Sequence, residues 1–309
     1  SLRAIFDWQA SDDLSLKLTL FRVDADNGYD AFSLDNTRNT LSDKPGHDRQ
    51  ESSAVAFHSN LQANEQFDVV SLISFADSDL EYGYDEDWAF PAICAGQECD
   101  GWEYNSEDNY LRDRDNSTLD VKLVSKKPVS LLGRHADWVF GVYARQQDEQ
   151  LLRQYTYNAS DFSSNFDTKN RAIYGQLDID IASDLSFIAG LRLEGRKATY
   201  NDSDGVDHSV DENLWGGRIA LQYKLDDSTM VYGLVSRGYK AGGVNSDSSL
   251  SAQDREFDTE LMWNFETGFK GSWFEQRLQT RVSVFYQQRE DSQIKQSLVQ
   301  SRGDNNASD

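Results

Sequence analysis

A repeat of period two runs through most of this chain, in segments of ten residues or so. Apolar side chains alternate with polar ones at 14–20, 185–194, 215–225 and 278–286. Because successive side chains of a strand point to opposite faces, each segment predicts a strand with one apolar and one polar face. The 3.6-residue period of an amphipathic helix is scarcely seen. We therefore predict an all-β fold.

The connections between the predicted strands are alternately short and long. Twelve strands are predicted at 1–9, 14–23, 49–61, 66–79, 110–125, 137–149, 168–182, 185–199, 213–225, 229–241, 257–271 and 277–298. Short turns are expected at 10–13, 62–65, 183–184, 226–228 and 272–276, and long loops at 24–48, 80–109, 150–167, 200–212 and 242–256. The linker 126–136 falls where a short turn is required and is somewhat long for one. This order predicts an antiparallel up-and-down transmembrane β-barrel of outer-membrane type.

A soluble sheet with its apolar face on a core would show the same alternation. Two features favour a face on lipid. The polar face carries both signs of charge, as expected of a wet or plugged lumen, and aromatic residues gather near strand ends, as in interfacial girdles. No uncharged apolar stretch approaches the roughly 18 residues of a membrane helix. We expect Leu191, Leu221 and Val282 to face lipid, and Arg192, Arg218 and Arg281 to face the lumen.

The chain is strongly acidic, with 53 Asp and Glu against 30 Lys and Arg and a net charge of −23. Nucleic-acid binding requires a basic face, and the longest run of cations is Lys126 and Lys127, so nucleic acid is excluded as a partner. The four histidines are scattered, and no nucleophile elbow or phosphate-binding loop follows a strand. We expect no enzymatic activity and no cofactor.

Cys94 and Cys99 are the two cysteines of the chain and lie in the segment CAGQEC. Two cysteines cannot supply the usual four ligands of a thiolate metal site, and we expect no metal. In an oxidising compartment such a pair most simply forms a disulfide that closes a small loop. Two free thiols are the alternative.

The segment 80–108 combines nine acidic residues and six aromatic residues with no Lys or Arg. A loop of this length is either functional or mobile. If the loop lies outside the cell, its aromatic side chains can stack on a ligand, and the candidates are Tyr82, Tyr84, Trp88 and Trp102. A solvated loop with a small packed aromatic cluster is the alternative.

The stretch from Val231 onward carries a family resemblance. It reads VYGLVSRGYKAGGVN and then FDTELMWNFETGFKGSWFEQRLQTRVSVFYQQREDSQIKQS. This resembles the C-terminal half of the barrel of TonB-dependent outer-membrane receptors. The earlier block VSLISFADSDLEYGYDEDW is similar to another pattern of that family, a strand that runs into an aromatic and acidic outer loop.

The resemblance implies a barrel of 22 strands with a plugged lumen, in the outer membrane of a Gram-negative bacterium. Residues 1–309 would then be a partial barrel domain of about twelve strands, without the plug and without the motif that engages the energy-transducing partner TonB. The resemblance further implies an active-transport receptor for a ferric siderophore. Uptake of a glycan or a cobalamin-like ligand is one alternative, and a soluble extracellular β-rich protein that binds or cleaves glycans is another.

An anionic ferric siderophore would need local cations in so acidic a protein. The candidates that approach predicted long loops are Arg145, Arg153, Arg237 and Lys240, with Tyr239 between the last two. Salt bridges along the lumen wall are their alternative role. Alternation puts Arg237 and Tyr239 on one face of their strand and Lys240 on the other.

Overall fold

The computed structural model describes residues 1–28, 37–38, 40–44, 46–88, 90, 92, 105–245 and 255–294. Trp102, Cys94 and Cys99 lie outside these residues. The strands are β1 (Leu2–Ser11), β2 (Leu14–Asp26), β3 (His47–Leu61), β4 (Phe67–Asp85), β5 (Glu107–Ser125), β6 (Val129–Leu131), β7 (Arg134–Tyr155), β8 (Phe162–Ala182), β9 (Leu185–Asp202), β10 (Asp207–Lys224), β11 (Thr229–Lys240), β12 (Gly243–Val244), β13 (Glu256–Phe257), β14 (Glu260–Trp273) and β15 (Leu278–Glu290). Among the described residues, no helix is long and apolar enough to cross a membrane.

Within the described part of the chain, thirteen strands form one antiparallel sheet. Twelve of them follow one another in chain order from β1 to β15, and β6 pairs with β7 beside this path. The remaining two, β12 and β13, form a small sheet of their own. The predicted twelve long strands and their up-and-down order are therefore confirmed. The sheet is not closed, because β1 and β15 are its two edges.

The two faces of the sheet differ sharply in chemistry. Val282 is paired in register with Phe269 on one face, which we call the apolar face, and Arg281 with Lys270 on the other, the polar face. Leu191 is paired with Gly217 on the apolar face, and Arg218 with Gly190 on the polar face. Apolar side chains that a soluble sheet would bury are exposed here. Ile219 is 56% exposed and Val282 is 61% exposed. The expected division of the faces is therefore present in the register.

The strands extend further than the alternation predicted. β7 and β8 contain 22 and 21 residues, about twice the length that a tilted strand needs to cross a membrane. The connections predicted as long loops at 150–167 and 200–212 are wrong in length, because the structure leaves only 156–161 and 203–206 between strands. The loop predicted at 80–109 likewise shortens to 86–106. In β7, for example, the residues from Gln146 to Gln150 are polar on both faces, so no alternation indicates the strand there.

The apolar face is itself divided into two zones. We call the end of the sheet that carries the connections 27–46, 86–106, 156–161, 203–206 and 241–259 the loop end, and the opposite end the turn end. From the turn end, an apolar band reaches as far as Phe75, Leu119, Val142, Ile173, Leu193 and Trp215. Beyond the band, the same face becomes charged. Short turns of outer-membrane barrels are periplasmic, and we therefore expect the loop end to be the extracellular one.

Glycines on the polar face make room for aromatic rings of neighbouring strands. A Cβ atom on Gly141 would lie 2.3 Å from Cζ of Tyr174, and one on Gly268 would lie 2.6 Å from the Tyr232 ring. The hydroxyl group of Tyr174 donates to Asp120 at 2.6 Å, and that of Tyr232 donates to Glu266 at 2.5 Å. These rings therefore lie flat along the wall and are fixed at their tips.

Candidate functional site: a tyrosine–arginine cluster

Aromatic and charged side chains of three strands meet on the polar face at the loop end. The register pairs Tyr82 with Tyr110, Tyr84 with Asp108, and Tyr110 with Arg153. Residues paired directly across an antiparallel ladder share a face, so β4, β5 and β7 bring these side chains together. We call Tyr82, Tyr84, Asp108, Tyr110, Arg153 and Tyr155 the tyrosine–arginine cluster.

The ion pair between Asp108 and Arg153 lies at the centre of this cluster. Nε of Arg153 donates to Oδ1 of Asp108 at 2.8 Å, and Nη2 donates to Oδ2 at 2.7 Å. The Asp108 side chain is only 2% exposed. Removing one partner of such a buried pair would leave the other charge uncompensated, which costs far more than the pair itself contributes. Arg153 is therefore committed to Asp108, and its positive charge is largely neutralised.

The tyrosine hydroxyl groups of the cluster are also hydrogen-bonded to carboxylates. Tyr84 and Tyr110 donate to Oδ2 of Asp108 at 3.3 and 2.9 Å. Tyr155 donates to Oε2 of Glu86 at 2.9 Å, and Glu86 also accepts from Ser106. Burial, reinforced by these carboxylates, raises the pKa of Tyr110 and of Tyr155 to about 12. All three phenols are neutral at physiological pH.

The rings of the cluster are held in place by their neighbours, and Tyr82 is the most exposed of them. The guanidinium of Arg153 lies over the rings of Tyr110 and Tyr155, 5.2 and 4.9 Å from their centroids. The ring of Tyr82 is 5.8 Å from that of Tyr84, and Tyr82 is 40% exposed. Aromatic rings held in place in this way can stack on a planar ligand with little loss of side-chain entropy.

A second polar network lies closer to the turn end on the same face. Oε2 of Glu194 accepts from Arg192 and from the Tyr239 hydroxyl group at 3.0 Å, while Oε1 accepts from Asn170 at 2.6 Å. The guanidinium of Arg192 lies 4.8 Å from the centroid of the Tyr143 ring. In both networks the charged and polar side chains named above are hydrogen-bonded to one another. This is the arrangement expected of a lumen wall.

The predicted cationic candidates occupy different surroundings. Arg145 lies on the polar face and donates to Asn116 and Gln147. Arg237 lies on the apolar face, where its guanidinium is 4.0 Å from the centroid of the Trp215 ring. Lys240 is paired in register with Glu260.

Arg237 and Tyr239 do not share a face, although simple alternation predicted it. The regular pairing of β10 with β11 stops at Gly217 and Arg237. Beyond that point the Tyr239 ring lies against Gly216, where an added Cβ would be 3.2 Å away, and so it reaches Glu194 on the polar face.

The structure thus brings together three sequence candidates, Tyr82, Tyr84 and Arg153. It places Arg145, Arg237, Tyr239 and Lys240 elsewhere. Sequence reasoning missed Asp108 and Tyr110, which complete the cluster. Trp88 lies just beyond the end of β4 and has a positive φ of 56°. The aromatic composition of 80–108 pointed to this region, but only the register between β4 and β5 shows which side chains meet.

Comparison with known proteins agrees with this architecture. The family model described as TonB dependent receptor-like, beta-barrel, matches residues 3–308. The pesticin receptors of Yersinia enterocolitica and Yersinia pestis are 25% identical over 230 residues, which is 68% of this chain and 32% of theirs. The chain therefore spans about a third of the length of these curated relatives.

Solved structures show the same fold at low identity. The ferric yersiniabactin uptake receptor of Yersinia pestis has a TM-score of 0.72 at 15% identity, over 94% of this chain and 52% of that one. The alcaligin outer-membrane receptor of Bordetella pertussis has a TM-score of 0.70 at 13% identity, over 93% and 42%. The matched family resides in the outer membrane of Gram-negative bacteria, which confirms the expected location and not the soluble extracellular alternative. The chain belongs to the TonB-dependent receptors, as part of their β-barrel.

Proposed function

We propose that the full-length protein is an active-transport receptor that takes up a ferric siderophore, with no catalytic step. Residues 1–309 are a partial barrel domain in this proposal, and a plug and a TonB-engaging segment belong to other parts of the protein. The siderophore binds at the loop end, and TonB then drives a rearrangement of the plug. Membership of the receptor family supports the general role, and siderophore receptors among the structural neighbours support the substrate class.

The tyrosine–arginine cluster is the observation that carries the substrate class. Ferric siderophores present planar, oxygen-rich groups, and the cluster presents ring faces at the extracellular end of the lumen wall. Asp108 neutralises Arg153, so stacking and hydrogen bonding, rather than net positive charge, dominate recognition here. Cations elsewhere on the polar face, such as Arg145, contribute the long-range attraction.

The proposal is tested by ligand binding to the full-length receptor in detergent. Quenching of tryptophan fluorescence is followed with a ferric catecholate siderophore, ferric citrate, cobalamin and a maltodextrin. We expect the ferric catecholate to bind, and Tyr82→Ala to weaken its binding about tenfold, the loss of roughly one stacking contact. Tyr223→Ala, on the apolar face, is the matched control and leaves affinity unchanged. Binding of cobalamin or maltodextrin alone would overturn the substrate class.

A further inference from the structure

Cationic side chains interrupt the apolar face of the sheet directly above the apolar band. Residues in register form rows across the strands, and one row consists of Ile73, Leu119, Ala144, Arg171, Gly195 and Asn213. The next row toward the loop end contains Phe75, Ser117, Gln146, Lys169, Lys197 and Asp211. Arg171, Lys169 and Lys197 thus form a compact triangle on β8 and β9, which we call the cationic triangle.

The triangle is poorly neutralised by the protein. Lys169 and Lys197 are directly opposite each other across β8 and β9, an arrangement that destabilises a sheet unless something compensates it. Among the described residues, Arg171 and Lys197 form no ion pair, and Lys169 contacts Asp167 at 3.4 Å in a half-exposed pair of little energetic value. Asp211 lies opposite Lys197 but beyond ion-pair distance. Three cations therefore share two acidic neighbours.

Beside the triangle is a groove lined by both apolar and polar residues. Its volume is about 420 Å³, and its wall includes Ile73, Phe75, Leu119 and Ala144, with Lys169 and Arg171 at one edge. Phe75 is 55% exposed. Small neighbours leave the Arg171 guanidinium accessible, since Ala144 and Gly195 flank it and a Cβ atom on Gly195 would meet nothing within 4 Å.

Acidic residues nearer the loop end do not cancel this attraction. Asp77, Asp115, Asp148 and Asp167 form the row beyond Lys169. Lys169 contacts Asp167 of this row, but Arg171, the corner of the triangle farthest from it, is four residues from Asp167, which is about 13 Å along a strand. Repulsion over that distance is screened at physiological salt, where the Debye length is about 8 Å. A phosphate seated at Arg171 therefore experiences chiefly the triangle.

We propose that this surface binds a phosphorylated lipid of the outer leaflet, with the phosphate on the cationic triangle and an acyl chain in the adjoining groove. The position fits the occupant, because the triangle lies where the apolar band ends on the extracellular side, at the depth of the lipid headgroups. Charge complementarity selects a phosphate-bearing lipid over a neutral one. This inference requires the outer-membrane location of the barrel and is independent of the transported ligand.

Binding of diphosphorylated lipid A to the delipidated full-length receptor, measured by native mass spectrometry in detergent, tests the proposal. Replacing Arg171 and Lys197 together with Gln should weaken binding about 30-fold, about fivefold for each charge removed. Arg218→Gln combined with Lys224→Gln removes two cations from the polar face and is the matched control, with affinity unchanged. Equal affinity of wild type and the Arg171 and Lys197 variant would overturn the proposal.

Two further measurements test the proposal even if the variant with Gln at positions 171 and 197 fails to assemble. Exchanging the two residues, Arg171→Lys with Lys197→Arg, preserves the charge and should preserve binding, and loss of binding would count against the triangle. With the wild-type protein, fully dephosphorylated lipid A should bind at least tenfold more weakly. Equal binding of that lipid would show an apolar surface only, and displacement of lipid A by millimolar inorganic phosphate would show a free-anion site instead. Either result overturns the lipid proposal, and neither concerns siderophore binding.

Discussion

Two tyrosines of the polar face depend on glycines for their positions. Tyr174 covers Gly141 from the neighbouring strand, and Tyr232 covers Gly268 in the same way. Glycine weakens a strand because it packs no side chain, and a ring laid over it restores the missing contact. The cross-strand hydrogen bond from Tyr174 to Asp120 adds directional restraint. The glycines of these strands are therefore packing partners rather than flexible points.

Gly141→Ala should destabilise the barrel by about 1–3 kcal/mol, because the new methyl group overlaps the Tyr174 ring and displaces it from Asp120. The measurement is the free energy of unfolding of the full-length receptor in urea. Gly233→Ala is the control, since a Cβ atom there would meet nothing within 4 Å. Equal stability of the two variants would mean that the Tyr174 ring does not rest on Gly141.

Asp87 is expected to make the stability of the loop end depend on pH. It is 4% exposed, and burial, reinforced by the neighbouring Asp85, raises the pKa of Asp87 from 3.8 to about 7. An acid with a raised pKa binds more protons folded than unfolded, so the stability of this region falls as the pH rises from about 4 to about 7.

We therefore expect proteolysis within 86–106 to accelerate over that pH range in the wild-type receptor and not in Asp87→Asn. The ratio of the two cleavage rates at each pH removes the pH dependence of the protease itself, and it should rise several-fold between pH 5 and pH 8. A ratio that stays constant would contradict the shifted pKa of Asp87.

At the scale of the elements, the sequence predicted the membrane-crossing portion of each strand and missed the rest. Alternation exists only where one face is apolar, as at Leu185–Leu193. In β7 the residues from Gln146 to Gln150 are polar on both faces, and no periodicity remains to indicate a strand there. The register between strands is equally invisible in sequence. For that reason Asp108 and Tyr110 were not among the candidates, whereas the nearby Tyr82 and Tyr84 were.

Because the two faces of β10 differ in chemistry, we expect charge-changing substitutions on them to affect barrel stability unequally. Leu221→Arg places a cation in the apolar band and should cost about 2–4 kcal/mol near the membrane midplane. Arg218→Gln, on the polar face, removes a charge and a hydrogen bond to Gln176 at a wet surface and should be far milder. Assembly into the outer membrane and urea unfolding both report the difference. Equal tolerance would mean that the apolar face is not in contact with lipid.

At the scale of the whole molecule, the order of turns and loops predicts which end faces outward. In intact cells that express the full-length receptor, a cysteine at Gly205 should react with an impermeant maleimide, because residues 203–206 close β9 and β10 at the loop end. A cysteine at Asp227, in the turn between β10 and β11, should react only after the cells are lysed. Labelling at Asp227 with none at Gly205 would invert the orientation of the barrel.

The length of the strands has a consequence for immune recognition. A strand of 22 residues such as β7 is about 70 Å long, and a band of about 25 Å lies in lipid, so much of the strand forms a wall outside the membrane. An antibody that approaches this wall meets neighbours from separate strands, such as Asp115, Asp148 and Asp167. Such an epitope is conformational. A folded barrel, and not a linear peptide copied from one strand, is therefore the immunogen that would raise antibodies to it.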